Sequence, residues 1–329
     1  MRRFGILRRV VRASLVIPLL CVVVPTESVA VEFSQWIKVL REDAETKGIR
    51  SATLNAALHG VKLIPRVIEL DRKQPEFTLK FRQYLDRVVS QGRIDKGRQK
   101  LKKNRPLLKE IGAKYGIPPN LIVAFWGIET DFGRITGGFP VISALATLAY
   151  DGRRSTYFRG ELINALKIID GGHISATSMV GSWAGAMGQP QFMPSSFLSF
   201  AVDYDGDGRK DIWSTVADVF ASAANYLARS GWKGDQTWGR PIRLPEGFDV
   251  KLAGLGSRKL IGEWQKLGVR RADGADLPAR NLMASVVLTE GPGSSAYLAY
   301  DNFRTILKWN RSNFFAIAVG SLADRIGDG

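Results

Sequence analysis

The chain has 329 residues, of which 47 are lysine or arginine and 31 are acidic, giving a formal net charge of +16. The chain is long enough to bury a substantial core, and 45% of its residues are hydrophobic. Its single cysteine, Cys21, lies in an apolar N-terminal stretch, so this composition excludes a fold held together by disulfides.

The N-terminus predicts export. An apolar stretch over residues 13–24 is too short to span a membrane comfortably, and Ser28-Val29-Ala30 presents small residues where a signal peptidase cleaves. We predict a signal peptide over residues 1–30, a periplasmic mature chain over 31–329 and no lipid anchor, because Leu20 before Cys21 is not small. An uncleaved anchor is the alternative. The basic residues that precede the apolar stretch are Arg2, Arg3, Arg8, Arg9 and Arg12.

Cleavage would leave a net charge of +12, because residues 1–30 carry five arginines and one glutamate. A strongly basic exported protein suits an anionic partner. Cell-wall glycan with its peptide carboxylates, a lipid surface and nucleic acid all fit, and charge alone does not choose among them.

Most of the mature chain has helical spacing of its apolar residues. A first helix around Trp36 ends at Gly48, Ser51 to Thr53 fits an N-cap, and Pro118-Pro119 begins a helix that ends near Glu129. Further helices are predicted over 77–90, 106–115, 160–170, 215–229 and 302–326, the last with a break near Asn310.

Residues 238–300 have a different character. Short β-type runs at 241–245, 284–288 and 296–300 are separated by glycine and proline, with a small helix predicted over 261–267. We therefore predict a mainly α (α+β) protein in which a small mixed α/β subdomain is inserted into one helical unit.

Glu129 is the strongest candidate for chemistry. It ends the run Leu121 to Glu129, which is apolar on all sides and is therefore predicted to be a buried helix. Burial raises the pKa of a carboxyl, which can then donate a proton near neutral pH. The alternative is an ordinary glutamate at a helix end that reaches water.

Glycoside cleavage usually needs a second carboxylate. Asp131 is nearest in sequence, but two residues along a helix point about 200° apart, so Asp131 does not face the same site. No other buried carboxylate is evident. A reaction with one carboxylate requires the substrate to supply the nucleophile.

Two further segments could bind a ligand. Small residues over 182–188 allow close approach of the backbone, and Ser182 and Gln191 could bond sugar hydroxyls or an acetamido group. Arg153 and Arg154, in a Gly-Arg-Arg loop, suit carboxylates. A packing loop and a solvated basic turn are the respective alternatives.

The segment from Asp203 to Asp211 resembles the first part of an EF-hand loop. Aspartates occupy loop positions one, three, five and nine, and Arg209 would offer its carbonyl at position seven. Position twelve is Ser214 instead of a bidentate glutamate. A structural Ca²⁺ is predicted, with an acidic turn held by its own hydrogen bonds as the alternative. The side-chain ligands would be Asp203, Asp205, Asp207 and Asp211.

Several segments, taken together and in their order along the chain, resemble the lytic murein transglycosylase B family over nearly the whole mature chain. Two departures are Trp309 and Phe315, which stand where some relatives carry tyrosine, and no separate C-terminal peptidoglycan-binding module is visible. The segments that carry the resemblance are residues 126–133, 151–154, 181–188 and 191–196, the aspartate loop, and Trp309-Asn-Arg-Ser312.

The resemblance implies a lysozyme-like helical core that binds peptidoglycan glycan strands. It implies cleavage of the β-1,4 bond between N-acetylmuramic acid and N-acetylglucosamine without water, giving 1,6-anhydro ends. Glu129 matches the single catalytic acid and base, and Ser182 matches a residue that positions the acetamido group. Residues of the family that contact sugar in the groove are matched here by Gln191, Tyr84, Tyr226 and Asn310. Basic residues of the family near the peptide side of the substrate are matched by Arg153 and Arg154.

The family chemistry implies no cofactor, and the aspartate loop matches a calcium-binding loop of the family. We expect a monomer, with cell-wall enzyme complexes as candidate partners. A muramidase-type hydrolase and a non-catalytic, calcium-dependent wall-binding protein are the alternative functions. Nucleic-acid binding is the weakest option, because no recognised motif accompanies the charge.

Overall fold

Helices make up most of the protein. The computed structural model describes residues 26–73 and 79–327. The helices are α1 (Thr26–Thr46), α2 (Ser51–Leu58), α3 (Pro65–Lys73), α4 (Phe81–Val88), α5 (Gln91–Lys103), α6 (Arg105–Tyr115), α7 (Pro119–Thr130), α8 (Val141–Asp151), α9 (Ser155–Asp170), α10 (Pro194–Phe200), α11 (Val216–Arg229), α12 (Ile261–Lys266), α13 (Asp301–Trp309) and α14 (Asn313–Gly327).

Short strands lie between them. The strands are β1 (Phe139–Pro140), β2 (Val180–Gly181), β3 (Gly239–Arg243), β4 (Lys259–Leu260), β5 (Arg270–Arg271), β6 (Met283–Leu288) and β7 (Ala296–Ala299).

Most predicted elements are confirmed, with changes at their ends. Helix α7 begins at Pro119, and the expected break after α13 falls at Asn310. Ser51 is the first residue of α2 and makes no capping bond, so its predicted role as an N-cap was wrong. The helix predicted over 160–170 begins earlier, at Ser155. Of the helix predicted over 77–90, residues 77 and 78 lie outside the described residues, and the structure forms the helix over Phe81–Val88.

The predicted signal peptide lies mostly outside the described residues. Only residues 26–30 are described, and they belong to the first part of α1. Within the ranges 26–73 and 79–327, no helix has both the length and the apolar character that crossing a membrane would need.

Two large apolar cores share the helical part of the protein. One surrounds α7 and is built with α5, α6, α11 and α14. The other is built around α8 and α9, with α1 and α2 packed on them. Helix α7 is apolar on every side because it lies inside the first core, where Ile122, Val123 and Ala124 have no exposed surface. Trp309 packs against both cores and so marks their junction.

The three strands predicted between 238 and 300 form as β3, β6 and β7 of a five-stranded antiparallel sheet, whose short strands β4 and β5 were not predicted. Its strand order is β4-β6-β7-β3-β5, and Val286 lies opposite Leu298 in the register of β6 and β7. A third, smaller core on this sheet is centred on the fully buried Trp264. A separate pairing of β1 with β2 places Phe139 opposite Gly181.

Trp238 attaches the sheet to α14. Its indole nitrogen donates a hydrogen bond to Asp324 at 3.0 Å, and its ring lies against Gly320. A Cβ atom on Gly320 would come within 2.2 Å of two ring atoms, which is far inside van der Waals contact. The glycine is therefore required for this close packing.

Replacing Gly320 with alanine should destabilise the protein by about 1–3 kcal/mol, because overpacking forces the ring or the helix to shift. Thermal or urea unfolding would measure the loss. Gly92→Ala on α5 is a matched control, because a Cβ atom there meets nothing within 4 Å. Equal stability of the two variants would contradict the packing argument.

Candidate functional site

Glu129 lies in the last turn of α7, at the end of the buried apolar run. The helix ends immediately afterwards because Asp131 and Phe132 take left-handed conformations, with φ of 50° and 61°. Their amide groups donate to the carbonyls of Gly127 and Trp126 at 3.1 Å each, which closes the helix end. The apolar run thus delivers one carboxyl to the place where the chain turns.

Asp131 has a separate structural role, as predicted. Its carboxylate accepts hydrogen bonds from Lys96 at 3.0 Å and Arg134 at 2.6 Å. These bonds lower the pKa of Asp131 despite an opposing effect of burial, which is the largest single influence. Asp131 therefore stays ionised and is occupied in holding the end of α7 against α5.

The carboxyl of Glu129 is in an unusual electrostatic environment. Burial raises its pKa to about 8, and a hydrogen bond from Trp309 opposes this rise. The indole nitrogen of Trp309 donates to Glu129 Oε1 at 2.8 Å. In the part of the chain that the structure describes, no second acid contributes to the raised pKa. At pH 7 the group therefore holds a proton while keeping partial access to solvent.

The indole N–H of Trp309 determines which oxygen of Glu129 carries the proton. An indole N–H can only donate, so it favours an unprotonated Oε1. The proton of the neutral acid is therefore carried on Oε2, the oxygen that Trp309 leaves open. The sequence analysis placed Trp309 in a segment that carries the resemblance and noted its departure from tyrosine, but it missed this contact, which joins residues 180 positions apart.

Trp309 is fixed in place by a cluster of aromatic rings. Its ring centroid lies 4.6 Å from that of Phe125, 4.7 Å from Tyr226 and 5.2 Å from Phe192. The hydroxyl of Tyr226 donates to the carbonyl of Lys308 at 2.6 Å. The structure thus places Tyr226, a predicted groove residue, beside Trp309, with its hydroxyl bonded to the backbone.

Tyr84 also lies near the carboxyl. Its pKa is raised to about 12, first by burial and then by the charge of Glu129. The ring packs against Phe314 with centroids 5.8 Å apart. The phenol is therefore neutral throughout the physiological range and is available as a hydrogen-bond donor.

Gln189 ties the predicted ligand loop to α7. Its side-chain oxygen accepts from Trp126 at 2.7 Å, and its nitrogen donates to the Trp213 carbonyl at 2.8 Å. Thr130, next to Glu129, donates to the Gln189 carbonyl at 2.8 Å. A Cβ atom on Gly133 would come within 2.3 Å of the Gln189 side-chain oxygen, which explains the glycine. These bonds fix the loop relative to the carboxyl.

Ser182 and Gln191 lie on the loop that Gln189 anchors. The Ser182 hydroxyl oxygen accepts from the amides of Ala184 and Ala186, at 3.3 and 3.0 Å. Gln191 has a φ of 52°, and its amide nitrogen donates to the carbonyls of Thr136 and Gly188. Both side chains thus have fixed orientations.

Arg153 and Arg154 converge on one buried carboxylate. Asp71 of α3 is 2% exposed and accepts hydrogen bonds from both arginines, with Arg153 at 2.5 and 2.8 Å. The Arg153 bond, followed by that of Arg154, keeps the pKa of Asp71 below its usual value despite burial. Each guanidinium still reaches solvent. Sequence reasoning missed Asp71, whose two partners are 82 and 83 residues away in the chain.

Asn310 is an exposed residue at the end of α13, beside Trp309. Its side-chain oxygen accepts from the Ser312 amide at 3.0 Å. Of the predicted sugar-contacting residues, it is therefore the one that the structure shows most open to solvent.

The aspartate loop brings together a different set of carboxylates from the one predicted. Oxygens of Asp203, Asp205 and Asp218 lie within 4.8 Å of one another. The side chain of Asp207 pairs with Arg209, and Asp211 accepts the amides of Trp213 and Ser214.

Asp218, in the first turn of α11, was missed. It is fully buried and accepts the amides of Tyr204 and Asp211, each at 2.7 Å. Burial raises its pKa, and the negative charges of Asp205 and Asp203 add to the rise. Three converging oxygens with mutual repulsion are a donor set that suits a hard cation such as Ca²⁺.

Comparison with known proteins gives the family. A model described as "Transglycosylase SLT domain" matches residues 32–324, so the chain belongs to this family. Membrane-bound lytic murein transglycosylase B of Escherichia coli is 36% identical over 225 residues, which are 64% of this chain and 58% of that protein. The match thus spans less than two thirds of the relative's length.

Solved structures extend the likeness to the fold. SltB3 of Pseudomonas aeruginosa, solved in complex with NAG-anhNAM-pentapeptide, is 44% identical with a TM-score of 0.87, over 90% of this chain and 80% of that one. The E. coli lytic transglycosylase SLT35, solved with calcium, is 28% identical with a TM-score of 0.76, over 91% and 93%. The predicted fold class, a lysozyme-like helical core with a small mixed subdomain, is confirmed.

Replacing Trp309 with phenylalanine removes the indole donor and should raise the pKa of Glu129 above about 8. The ionised carboxylate would lose a charge-assisted hydrogen bond, worth about 1.5–3 kcal/mol, or about one to two pKa units. Titration of ¹³C-labelled glutamate carboxyls by NMR would measure Trp309→Phe against wild type.

Trp309→Tyr supplies a different donor and should recover part of the shift. Trp36→Phe, on α1, is the control and should leave the titration unchanged. An unaltered pKa in Trp309→Phe would show that the bond does not set the protonation of Glu129.

Proposed function

We propose that this protein is an exported lytic transglycosylase that cleaves the β-1,4 bond between N-acetylmuramic acid and N-acetylglucosamine in peptidoglycan. The observation that carries the proposal is a single carboxyl with a raised pKa, on which no second acid of residues 26–73 and 79–327 acts. Family membership agrees with it, as does the peptidoglycan fragment bound to SltB3.

The first half of the reaction uses Glu129 as an acid. The proton on Oε2 passes to the glycosidic oxygen as the C1–O bond breaks, and the N-acetylglucosamine side leaves as an alcohol. The 2-acetamido oxygen stabilises the electron-poor C1 in place of a second carboxylate. Ser182 and Gln191 are proposed to position the acetamido group and neighbouring sugar atoms.

In the second half, the same carboxylate acts as a base. It takes the proton of the muramoyl C6 hydroxyl, whose oxygen bonds to C1 and closes a 1,6-anhydro ring. Glu129 is thereby protonated again, and no water is consumed. A pKa of about 8 suits both roles, because the neutral acid predominates at pH 7 and its conjugate base is strong.

The remaining predicted residues are assigned by position. Tyr84, Tyr226 and Asn310 are proposed to line the sugar groove near Trp309, and Arg153 and Arg154 to face the substrate's peptide carboxylates. We propose that residues 1–30 direct the chain to the periplasm, where glycan strands are its partner and no nucleic acid is bound. The chain is proposed to act as a monomer and to join cell-wall enzyme complexes.

A structural Ca²⁺ is proposed for the aspartate loop. Asp203 and Asp205 of the predicted set, together with Asp218, present converging oxygens. The remaining ligands that the sequence predicts are Asp207, Asp211 and the carbonyl of Arg209, and we propose that they complete the coordination of the ion. The ion would hold the start of α11, the helix that carries Tyr226, and would take no part in the chemistry. Calcium in the SLT35 structure supports this proposal.

Glu129→Gln should lower lytic activity on purified peptidoglycan by at least about 10³-fold, because an amide can neither donate nor accept the required proton. Mass spectrometry of the wild-type products should show 1,6-anhydro ends. Products heavier by one water, with free reducing ends, would indicate a hydrolase. Wild-type lysis by the Gln variant would refute the assignment of Glu129.

Calcium should raise the unfolding temperature of the wild type and have little effect on Asp203→Asn or Asp218→Asn. The binding energy adds to stability only where the site is intact. Differential scanning calorimetry with Ca²⁺ or with a chelator would measure it. Asp235→Asn, a change in an exposed acid outside the loop, is the control. An equal calcium shift in all variants would place the ion elsewhere.

A further inference from the structure

A second cavity lies between α1 and α9 and shares no lining residue with the Glu129 site. Its volume is about 560 Å³, which is within the usual range for ligand sites. Ala149 and Ile163 give it an apolar base, and its rim is polar and charged.

The rim carries an excess of positive charge. Lys47, Arg159 and Lys167 line the cavity against one acid, Asp43. A hydrogen bond from Lys47, followed by one from Arg159, lowers the pKa of Asp43, so the acid stays ionised and neutralises one of the three cations. Lys167 has no ion-pair partner among the described residues. An anion is therefore the favoured ligand.

Arg159 is held in a fixed orientation. Its Nε and Nη2 atoms donate to Asp43 Oδ2 at 3.2 and 3.0 Å, and its guanidinium lies 5.8 Å from the ring centroid of Trp36. Its remaining nitrogen, Nη1, has no protein partner in the part of the chain that the structure describes. A planar, oriented guanidinium with a free N–H is well suited to a carboxylate.

Other polar groups on α9 face the cavity and have no partner in the described part of the chain. The side chains of Ser155, Thr156 and Asn164 make no hydrogen bond to the described residues, and they lie on one face of the helix with Lys167. Gly160, in the middle of this face, leaves open space, since a Cβ atom there would meet nothing within 4 Å. The face thus offers donors and room together.

Trp36 argues against a neutral sugar as the ligand. Its ring already contacts Phe33 at 6.0 Å, Tyr150 at 5.9 Å and Arg159 at 5.8 Å, so it is not a free platform for a pyranose ring. The recognisable feature of the ligand is then its negative charge and its amide-type hydrogen-bonding groups, which Asn164 and the hydroxyls can match.

We propose that this cavity binds a stem peptide of peptidoglycan through its free carboxylates, as a second wall-binding site. The proposal rests on the proposed function, which makes wall peptide the available anion. A site of this kind would keep the enzyme bound to the wall while the Glu129 site binds a glycan strand. Because both sites belong to one molecule, binding at one raises the effective concentration of wall material at the other.

The test uses the mature chain with Glu129→Gln, so that glycan is not consumed. Free stem peptide is titrated by calorimetry at low salt into this background and into two further variants. Lys167→Gln removes the unpaired charge, and Gly160→Leu fills the cavity while favouring the helix. Each should weaken peptide binding at least about tenfold. Lys38→Gln and Gly92→Leu are the matched controls and should bind like the parent.

Three outcomes would overturn the proposal. They are unchanged affinity in both cavity variants, equal losses in the controls, and stronger binding of inorganic phosphate than of the peptide. Lysis by the wild type and its loss in Glu129→Gln test the proposed function separately. Lysis that depends on Glu129, with peptide affinity unaffected by both cavity variants, would refute the cavity proposal alone.

Discussion

The contact between Trp309 and Glu129 is the interaction on which the site depends. Helix α7 is apolar all round and must lie inside the protein, so the carboxyl at its end is carried into a poorly hydrated place. Such a group is stable as a neutral acid, and a donor-only partner then leaves a single oxygen for its proton. The junction of the two apolar cores supplies that partner, because Trp309 packs against both.

The surroundings of this contact are organised to keep it in place. Phe125, Phe192 and Tyr226 fix the indole ring, while Gln189 joins the loop of Ser182 and Gln191 to the helix that carries Glu129. The loop thus has a fixed position relative to the carboxyl. Preorganisation of this kind is what proton transfer at a defined atom needs.

The aspartate loop shows what residue spacing alone does not predict. An EF-hand pattern drew attention to Asp203 and Asp205, but it also pointed to position twelve of the loop. The structure instead brings Asp218 into the cluster, from the next helix. Similarly, the Gly-Arg-Arg loop was predicted from its composition, whereas Asp71, which orients both arginines, comes from a helix that no local pattern connects to it.

The sequence by itself determined the helical character of the protein, the ends of α7, the sheet-forming segment and the isolation of Glu129 from Asp131. These features follow from local periodicity, from proline at a helix start and from the angle between neighbouring side chains. The tertiary structure alone decided which groups meet Glu129, which acid joins the aspartate loop and where a second cavity opens. Those contacts join residues far apart in the chain, so no local pattern of residue types encodes them.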